Sequence, residues 1–309
     1  MSQAGSSSPW PGWLRTDASP LDQAQVLTLL LLLSYGRERG FLFLEPVAVA
    51  VLFAGLIWPL LRKSVWFWFA VTGFVLIARI PEMLFMENHH YLIAYWCIAL
   101  VACRLASADD PEPAIAQNAK WLVGLAMVLA VVAKLRWGEF ANGAFFEYLL
   151  LTEPRFDAFS QILAGVPEQV LQANRAARAS LSASGTLGSV ALAGRDQVAL
   201  VAQLLSLWTL LIEAAVAFFF LLPQRPAWAQ YLSGLRWWAA ARHASLIGFA
   251  ITTYAVVTVV GFAWILLILG LAHCRREEVA ARTAYCAAFL LVLVYTLPWG
   301  AWLLPLLTG

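Results

Sequence analysis

The sequence predicts an all-α polytopic membrane protein, a bundle of about seven or eight transmembrane helices. Of its 309 residues, 62% are hydrophobic and only 12% are charged, whereas soluble domains are about 45–50% apolar and about 25% charged. Many of the 15 tryptophans stand near the ends of apolar runs, as in the aromatic belts of membrane interfaces. With 20 basic against 18 acidic residues, no charge excess favours a nucleic-acid partner, and the expected partner is the lipid bilayer.

The chain begins with a flexible tail, because residues 1–20 are rich in Ser, Gly and Pro. A single transmembrane domain is expected over residues 21–309. Its first apolar run, Val26–Leu33, is too short to cross a bilayer unaided and predicts an interfacial helix or a short, tilted span. Longer runs predict firm spans at Phe41–Leu61, Val65–Phe85, a third run that ends near Leu105, Ala119–Trp137, Gln197–Leu222, Ala244–Ala272 and Thr283–Leu306.

An extramembrane insertion is predicted at about 138–195, between the fourth and fifth of these spans. Its aromatic part, Phe140–Leu151, predicts a segment that re-enters the membrane or lies on the interface. The part Gln161–Arg195 is rich in Ala, Ser and Gly with scattered Arg, which predicts a helix followed by a linker. After the fifth span, the aromatic stretch Trp228–Arg242 predicts an amphipathic interfacial helix.

The fourth span carries the first candidate site residue. Between Lys120 and Lys134 the chain has no charge and no proline, and about 14 apolar residues of helix rise about 20 Å. Lys134 therefore stands at or just inside the end of an apolar helix. It can be a snorkelling side chain whose ammonium reaches the headgroups. Alternatively it is a functional amine, because desolvation favours the neutral amine, which can act as a base.

Other ionisable side chains also fall within or beside apolar spans, where they are costly to bury and often functional. Arg79 and Glu82 are three residues apart and can form a structural ion pair or contact a substrate. Glu213 has apolar neighbours on both sides, so it needs a partner or a proton. It can be a packing contact or an acid of the site. The remaining candidates are Glu45, His89, His90 and His243.

The segment Asn88-His89-His90-Tyr91 brings an amide, two imidazoles and a phenol to one end of a span. It can be a solvated helix start with Asn88 as the N-cap, or its polar groups can form a metal site or a proton relay. Adjacent histidines point about 100° apart on a helix, so both cannot ligate one metal without help from elsewhere. Because the chain has no HxxxH or HExxH motif, no metal is predicted. A single histidine acting as acid, base or hydrogen-bond donor is favoured.

Short motifs in the same regions resemble those of a known family. Asn88-His89-His90-Tyr91-Leu92 resembles the Asn-His-x-Tyr-Leu element of the vitamin K-dependent gamma-carboxylase family, whose superfamily includes the bacterial horizontally transferred transmembrane domain (HTTM) proteins. Val132-Ala133-Lys134-Leu135 is similar to that family's Ala/Lys-Lys-Leu element, and Asn142-Gly143-Ala144-Phe145 to the small-residue motif after it. Glu213 in an apolar span before Pro223, and Arg242-His243 ahead of a later span, are similar to its general layout.

The resemblance implies that Lys134 is a base, since the matching lysine of the carboxylases deprotonates vitamin K hydroquinone. It implies that His89 supports the oxygen-dependent step, and that the cofactor is reduced vitamin K or a similar quinol. The carboxylases carry a large domain after their membrane part, which this chain lacks, so carboxylation of a propeptide-bearing protein is not expected. The other residues assigned to the substrate or cofactor pocket are Asn88, His90, Tyr91, Arg79, Glu82, Glu213 and His243.

Two hypotheses from different classes follow. The first is a carboxylase-like enzyme of a bacterial inner membrane, a lyase or hydroquinone-dependent oxidase that modifies a secreted peptide or a small substrate. The second is a non-enzymatic protein, either a transporter or a partner subunit for a secreted peptide, in which Arg79, Glu82 and Glu213 line a polar path or hold the bundle together. An enzyme requires Lys134, His89 and Glu213 to face one cavity open to lipid.

Overall fold

The computed structural model describes residues 18–35, 45–80, 87–107, 109–184, 189, 191–194, 196–222, 235–256 and 260–296. The regular elements within these ranges are all helical, which confirms the all-α part of the predicted fold class. Besides a 3-10 turn at Pro154–Phe156, they are α1 (Pro20–Tyr35), α2 (Glu45–Ile57), α3 (Pro59–Lys63), α4 (Val65–Arg79), α5 (Asn88–Ala106), α6 (Glu112–Arg136), α7 (Gly138–Ala141), α8 (Ala144–Thr152), α9 (Asp157–Leu163), α10 (Glu168–Ser184), α11 (Asp196–Leu221), α12 (Leu235–Val256), α13 (Val260–His273) and α14 (Val279–Thr296).

Three helices of the described chain, α5, α6 and α11, are long and apolar enough to cross a membrane. They correspond to the third, fourth and fifth spans predicted from the sequence. The helices α1, α2, α4, α13 and α14 are apolar but shorter. Membrane association is therefore indicated by three helices, and the larger number of spans stays a prediction.

One predicted span is divided in the structure. Within Phe41–Leu61, α2 ends at Ile57 and α3 begins at Pro59. Trp58 between them is extended, with φ −107° and ψ 100°, because the residue before a proline is driven out of the helical region. Within Ala244–Ala272, α12 is described as far as Val256 and α13 from Val260, and residues 257–259 lie outside the described part of the chain.

Other helix bounds also differ from those predicted. Helix α6 begins at Glu112, seven residues before the predicted start at Ala119, because Pro113 is tolerated in a first helical turn. The last eight residues of the predicted interfacial stretch Trp228–Arg242 open the long helix α12. The predicted helix within Gln161–Arg195 is confirmed as α10.

The described residues form two compact units. Unit 1 takes them from Met1–Val123 and Val260–Gly309, and unit 2 takes them from Gly124–Val259. Helix α6 contributes to both units. That residues 21–309 form a single transmembrane domain stays a prediction.

Helix α1 is a core element of unit 1, which does not agree with the interfacial alternative of the prediction, while the alternative of a short, tilted span stays a prediction. It packs against α13 and α2, while α13 packs against α14 and α5. The indole Nε1 of Trp96 on α5 donates a hydrogen bond to Thr28 Oγ1 at 2.9 Å. A short apolar helix is stable here because neighbouring helices cover it on all sides. Its buried side chains include Val26, Leu27, Leu29 and Leu31.

Buried arginines close helix ends in unit 1. Arg62 Nη1 donates to the carbonyls of Gly55 at 2.7 Å and Leu56 at 3.3 Å, which belong to the last turn of α2 and have no partner within that helix. Its Nη2 lies 2.9 Å from Asp22 Oδ1 on α1. Arg104 Nη2 in turn donates to the Arg62 carbonyl at 3.2 Å. Arg62 thus divides its donors between main-chain carbonyls and the carboxylate of Asp22.

Unit 2 is built around α11. Helix α8 packs against α11 and α10, and α12 packs against α11. The predicted insertion at about 138–195 therefore shares a hydrophobic core with the first half of the fifth span. The fully buried members of that core are Leu150, Leu151, Phe156, Ala164, Val166, Leu171, Val198 and Ala202.

Candidate functional site

The helices α6 and α11 approach each other closely at Gly124, within unit 2. A Cβ atom added at Gly124 would lie 2.5 Å from Leu221 Cδ2, so a larger residue at position 124 would clash with α11. Ten residues further along α6, Lys134 faces Glu213, eight residues back along α11. These two contacts describe antiparallel helices. The glycine thus allows the approach that brings the two charged side chains together.

Lys134 and Glu213 form a bidentate ion pair. Lys134 Nζ donates to Glu213 Oε1 at 2.7 Å and to Oε2 at 2.8 Å. The side chain of Glu213 is 5% exposed and that of Lys134 is 23% exposed. Because a buried carboxylate is costly without a partner, the ammonium accounts for the presence of an acid in the middle of an apolar helix. The side chain of Lys134 thus remains partly exposed, whereas that of Glu213 is buried.

An aromatic ring completes the surroundings of the lysine. The Nζ atom of Lys134 lies 5.3 Å from the ring centroid of Phe140, within the range of a cation–π interaction. His243, another predicted pocket residue, is buried in α12 of the same unit. Unit 2 therefore brings Lys134 and Glu213 into contact and places a ring beside them.

The histidine segment lies in unit 1, at the start of α5. His89 is buried, and its Nδ1 lies 3.3 Å from Glu87 Oε2. The rings of His89 and His90 are 4.2 Å apart and tilted by 39°, although their Cβ atoms point in different directions along the helix. Tyr91 is partly buried. The group therefore offers one buried and one partly buried imidazole close together.

The interpretation of Asn88 as the N-cap of α5 is wrong. Glu87 occupies that position with the extended angles φ −67° and ψ 149°, and Asn88 is the exposed first residue of the helix. Arg79 is the last residue of α4. Glu82 lies outside the described residues, so its pairing with Arg79 stays a prediction. Glu45 is the first residue of α2.

Sequence reasoning missed two features of this site. Lys134 and Glu213 were singled out separately, and their separation of 79 residues hid their contact. The signal that could have paired them is that one acid and one base both occur in apolar spans, where each needs a partner. Phe140 was missed because the helix break after Arg136 removes the helical spacing that would have related it to Lys134.

Comparison of this chain with protein-family models, with curated proteins and with solved structures finds no significant match. The similarity to the gamma-carboxylase family thus stays a prediction drawn from short motifs. The chemistry open to unit 2 follows from its own geometry. An amine and a carboxylate at 2.7–2.8 Å can exchange a proton directly.

Proposed function

We propose that this protein is an integral membrane protein that transfers protons to and from an acidic, lipid-soluble substrate at the Lys134–Glu213 pair. The observation that carries the proposal is the bidentate contact between two helices that are each long and apolar enough to cross a membrane. Ionisable pairs within apolar helices are costly, and they commonly mark substrate or proton pathways.

The pair can supply a base in a simple sequence of proton transfers. As an ammonium, Lys134 cannot accept a proton. Movement of one proton from Nζ to a carboxylate oxygen of Glu213 gives a neutral amine and a carboxylic acid, which apolar surroundings tolerate better than separated charges. The amine then takes a proton from a substrate hydroxyl, and the new ammonium holds the negative substrate oxygen. Glu213 then releases its proton to water, and the Lys134–Glu213 ion pair forms again.

The surroundings of Lys134 fit a lipid-soluble quinol, the cofactor that the family resemblance implies. When bound, a quinol would supply an acidic hydroxyl and reducing equivalents. Lys134 would deprotonate it, and His89 would support this step as in the resemblance. Exposed apolar side chains on both helices would face its hydrocarbon part, among them Val132, Leu135 and Leu211. The molecule that is modified in this proposal is a secreted peptide or a small substrate at a bacterial inner membrane.

A second candidate function is supported by the Lys134–Glu213 contact being complete without any substrate. Both oxygens of Glu213 already contact Lys134, and a ring covers the ammonium. This is also the arrangement expected of a static tie between two helices in a transporter or in a partner subunit for a secreted peptide. Under that proposal the pair stabilises the bundle and no proton leaves it.

Oxygen uptake by the purified protein in lipid, with vitamin K hydroquinone, separates the two functions. We expect uptake by the wild type and its loss in Lys134→Ala and His89→Ala. The sharpest variant is Lys134→Arg, because arginine keeps the charge and the pairing but does not give up its proton. If a folded Lys134→Arg protein takes up no oxygen, the result supports the role of Lys134 as the base.

Equal uptake by Lys134→Arg and wild type would show that the lysine is not the base. Absence of uptake by a folded wild type with several quinols would remove the enzyme proposal. The second function would then remain, and binding of secreted peptides would be measured next.

A further inference from the structure

We propose that Phe140 is a positioning residue for Lys134 and that its ring holds the lysine side chain against Glu213. This inference deepens the proposed function and rests on it, because it concerns the position of the amine that would act as the base. It assigns a role to a residue that belongs to none of the motifs noted in the sequence.

The chain reverses direction to bring this ring back to the lysine. Helix α6 ends at Arg136, and Trp137 is extended, with φ −96° and ψ 100°. The N–H of Phe140 donates to the Trp137 carbonyl at 3.0 Å, which starts the short helix α7. Phe140 is 6% exposed, while its neighbours Glu139 and Ala141 are exposed. The turn therefore directs this one side chain of α7 inward.

The ammonium of Lys134 has different partners on different sides. The carboxylate oxygens of Glu213 lie at 2.7 and 2.8 Å, and the centroid of the Phe140 ring lies at 5.3 Å. A ring face attracts a cation. The ring therefore adds to the carboxylate in limiting where Nζ can lie.

The ring is itself fixed by its neighbours. Phe145 and Phe146 lie 5.4 and 5.3 Å from it, centroid to centroid. The turn that follows α7 packs closely against α11, the helix that carries Glu213. A Cβ atom added at Gly143 would lie 3.1 Å from the backbone nitrogen of Gln203 on α11. Gly143 has a φ of +86°, which favours glycine. The segment that carries the Phe140 ring therefore packs against the helix that carries the Glu213 carboxylate.

The experiment measures the reactivity of the Lys134 amine in the full-length protein in lipid, so it does not require any enzymatic activity. Trace labelling with an amine reagent at pH 8, followed by mass spectrometry of the peptide, reports the fraction of neutral, accessible amine. Phe140→Leu keeps an apolar side chain but removes the ring face, and we expect about threefold or more faster labelling of Lys134. Phe140→Trp keeps a ring face and should label at most as fast as the wild type.

The matched control is Phe156→Leu. Phe156 is 3% exposed and belongs to the same group of rings, 6.5 Å from Phe146, but the ring beside Lys134 Nζ is that of Phe140. We expect its labelling rate to equal that of the wild type. Equal acceleration by both leucine variants would show that Phe140 acts only through packing, and no acceleration by Phe140→Leu would also overturn the proposal.

Labelling and oxygen uptake distinguish failure of this inference from failure of the proposed function. If the wild type does not oxidise quinols but Phe140→Leu accelerates labelling as expected, the positioning role of Phe140 is supported and the enzyme proposal fails. If oxidation is present, Phe140→Leu should change kcat more than KM, because the ring contacts the base and not the substrate. A change confined to KM would assign Phe140 to substrate binding instead.

Discussion

The two units neutralise their buried cations in different ways. In unit 1, Arg62 donates to main-chain carbonyls of α2 as well as to the carboxylate of Asp22, and Arg104 donates to the carbonyls of Leu100 and Arg62. In unit 2, the ammonium of Lys134 is held by the side-chain carboxylate of Glu213. A carbonyl oxygen does not titrate at physiological pH, whereas a carboxylate can accept a proton.

This difference separates a structural use of charge from a chemical one. An arginine bound to carbonyls closes a helix end and keeps its proton. A lysine paired with a carboxylate can lose its charge by passing one proton over a short distance. The candidate chemistry therefore belongs to unit 2, and the arginines of unit 1 serve as stabilising contacts.

The largest expected effect comes from breaking the pair on one side. Glu213→Leu leaves Lys134 without its carboxylate, and we expect the free energy of unfolding to fall by about 3 kcal/mol, as for other broken buried pairs. The double variant Lys134→Met/Glu213→Leu removes both charges and should recover most of that loss. Unfolding by denaturing detergent in mixed micelles measures both. If the double variant is as unstable as Glu213→Leu, the unpaired charge of Lys134 is not the cause of the lost stability.

An intermediate effect is expected for the arginine of unit 1. Arg62→Met leaves the carbonyls of Gly55 and Leu56 without donors, which should cost about 2 kcal/mol of stability. Unlike the pair in unit 2, this loss cannot be repaired by removing a partner charge.

The control for this contrast is Asp22→Asn, which should have a small effect alone because Asp22 is partly exposed. The same unfolding assay applies. Recovery of stability in Asp22→Asn/Arg62→Met would contradict the assignment of Arg62 to the main chain, and the comparison of the two units would fail.

The smallest effect is expected for an ion pair at the surface of unit 1. Arg276 Nη2 lies 2.8 Å from Glu112 Oε2, but the arginine side chain is 72% exposed. The hydrogen bond from the arginine to Glu112 raises the pKa of Arg276, so the cation persists throughout the physiological range. Arg276→Ala should nevertheless leave the unfolding midpoint unchanged, because water and salt screen exposed pairs. A clear loss of stability in Arg276→Ala would show that the Arg276–Glu112 ion pair stabilises the fold.

Local sequence predicted the helices better than their contacts. The third, fourth and fifth spans correspond to α5, α6 and α11, because hydrophobicity and length are properties of one segment. The first span is predicted as continuous, but it is interrupted at Trp58. Pro59 was a usable signal for this break, because a proline drives the residue before it out of the helical region.

The candidate site divides in the same way. Lys134 and Glu213 could be singled out because a charge in an apolar run is visible in the sequence. The role of His89 came from a motif resemblance, and its convergence with Lys134 stays a prediction. The burial of α1 had no local signal, since an apolar run of that length suits an interfacial helix and a core helix equally.

The sequence by itself determined the all-helical class, the apolar helices and the cost of placing an acid and a base within them. Only the tertiary structure decided that the acid and the base satisfy each other and that Phe140 covers the amine. The reason is physical: helix formation depends on neighbours within one or two turns, whereas the partner of a buried charge is set by which helices pack. Here Gly124 lets α6 approach α11, and the turn at Trp137 brings the ring to the lysine.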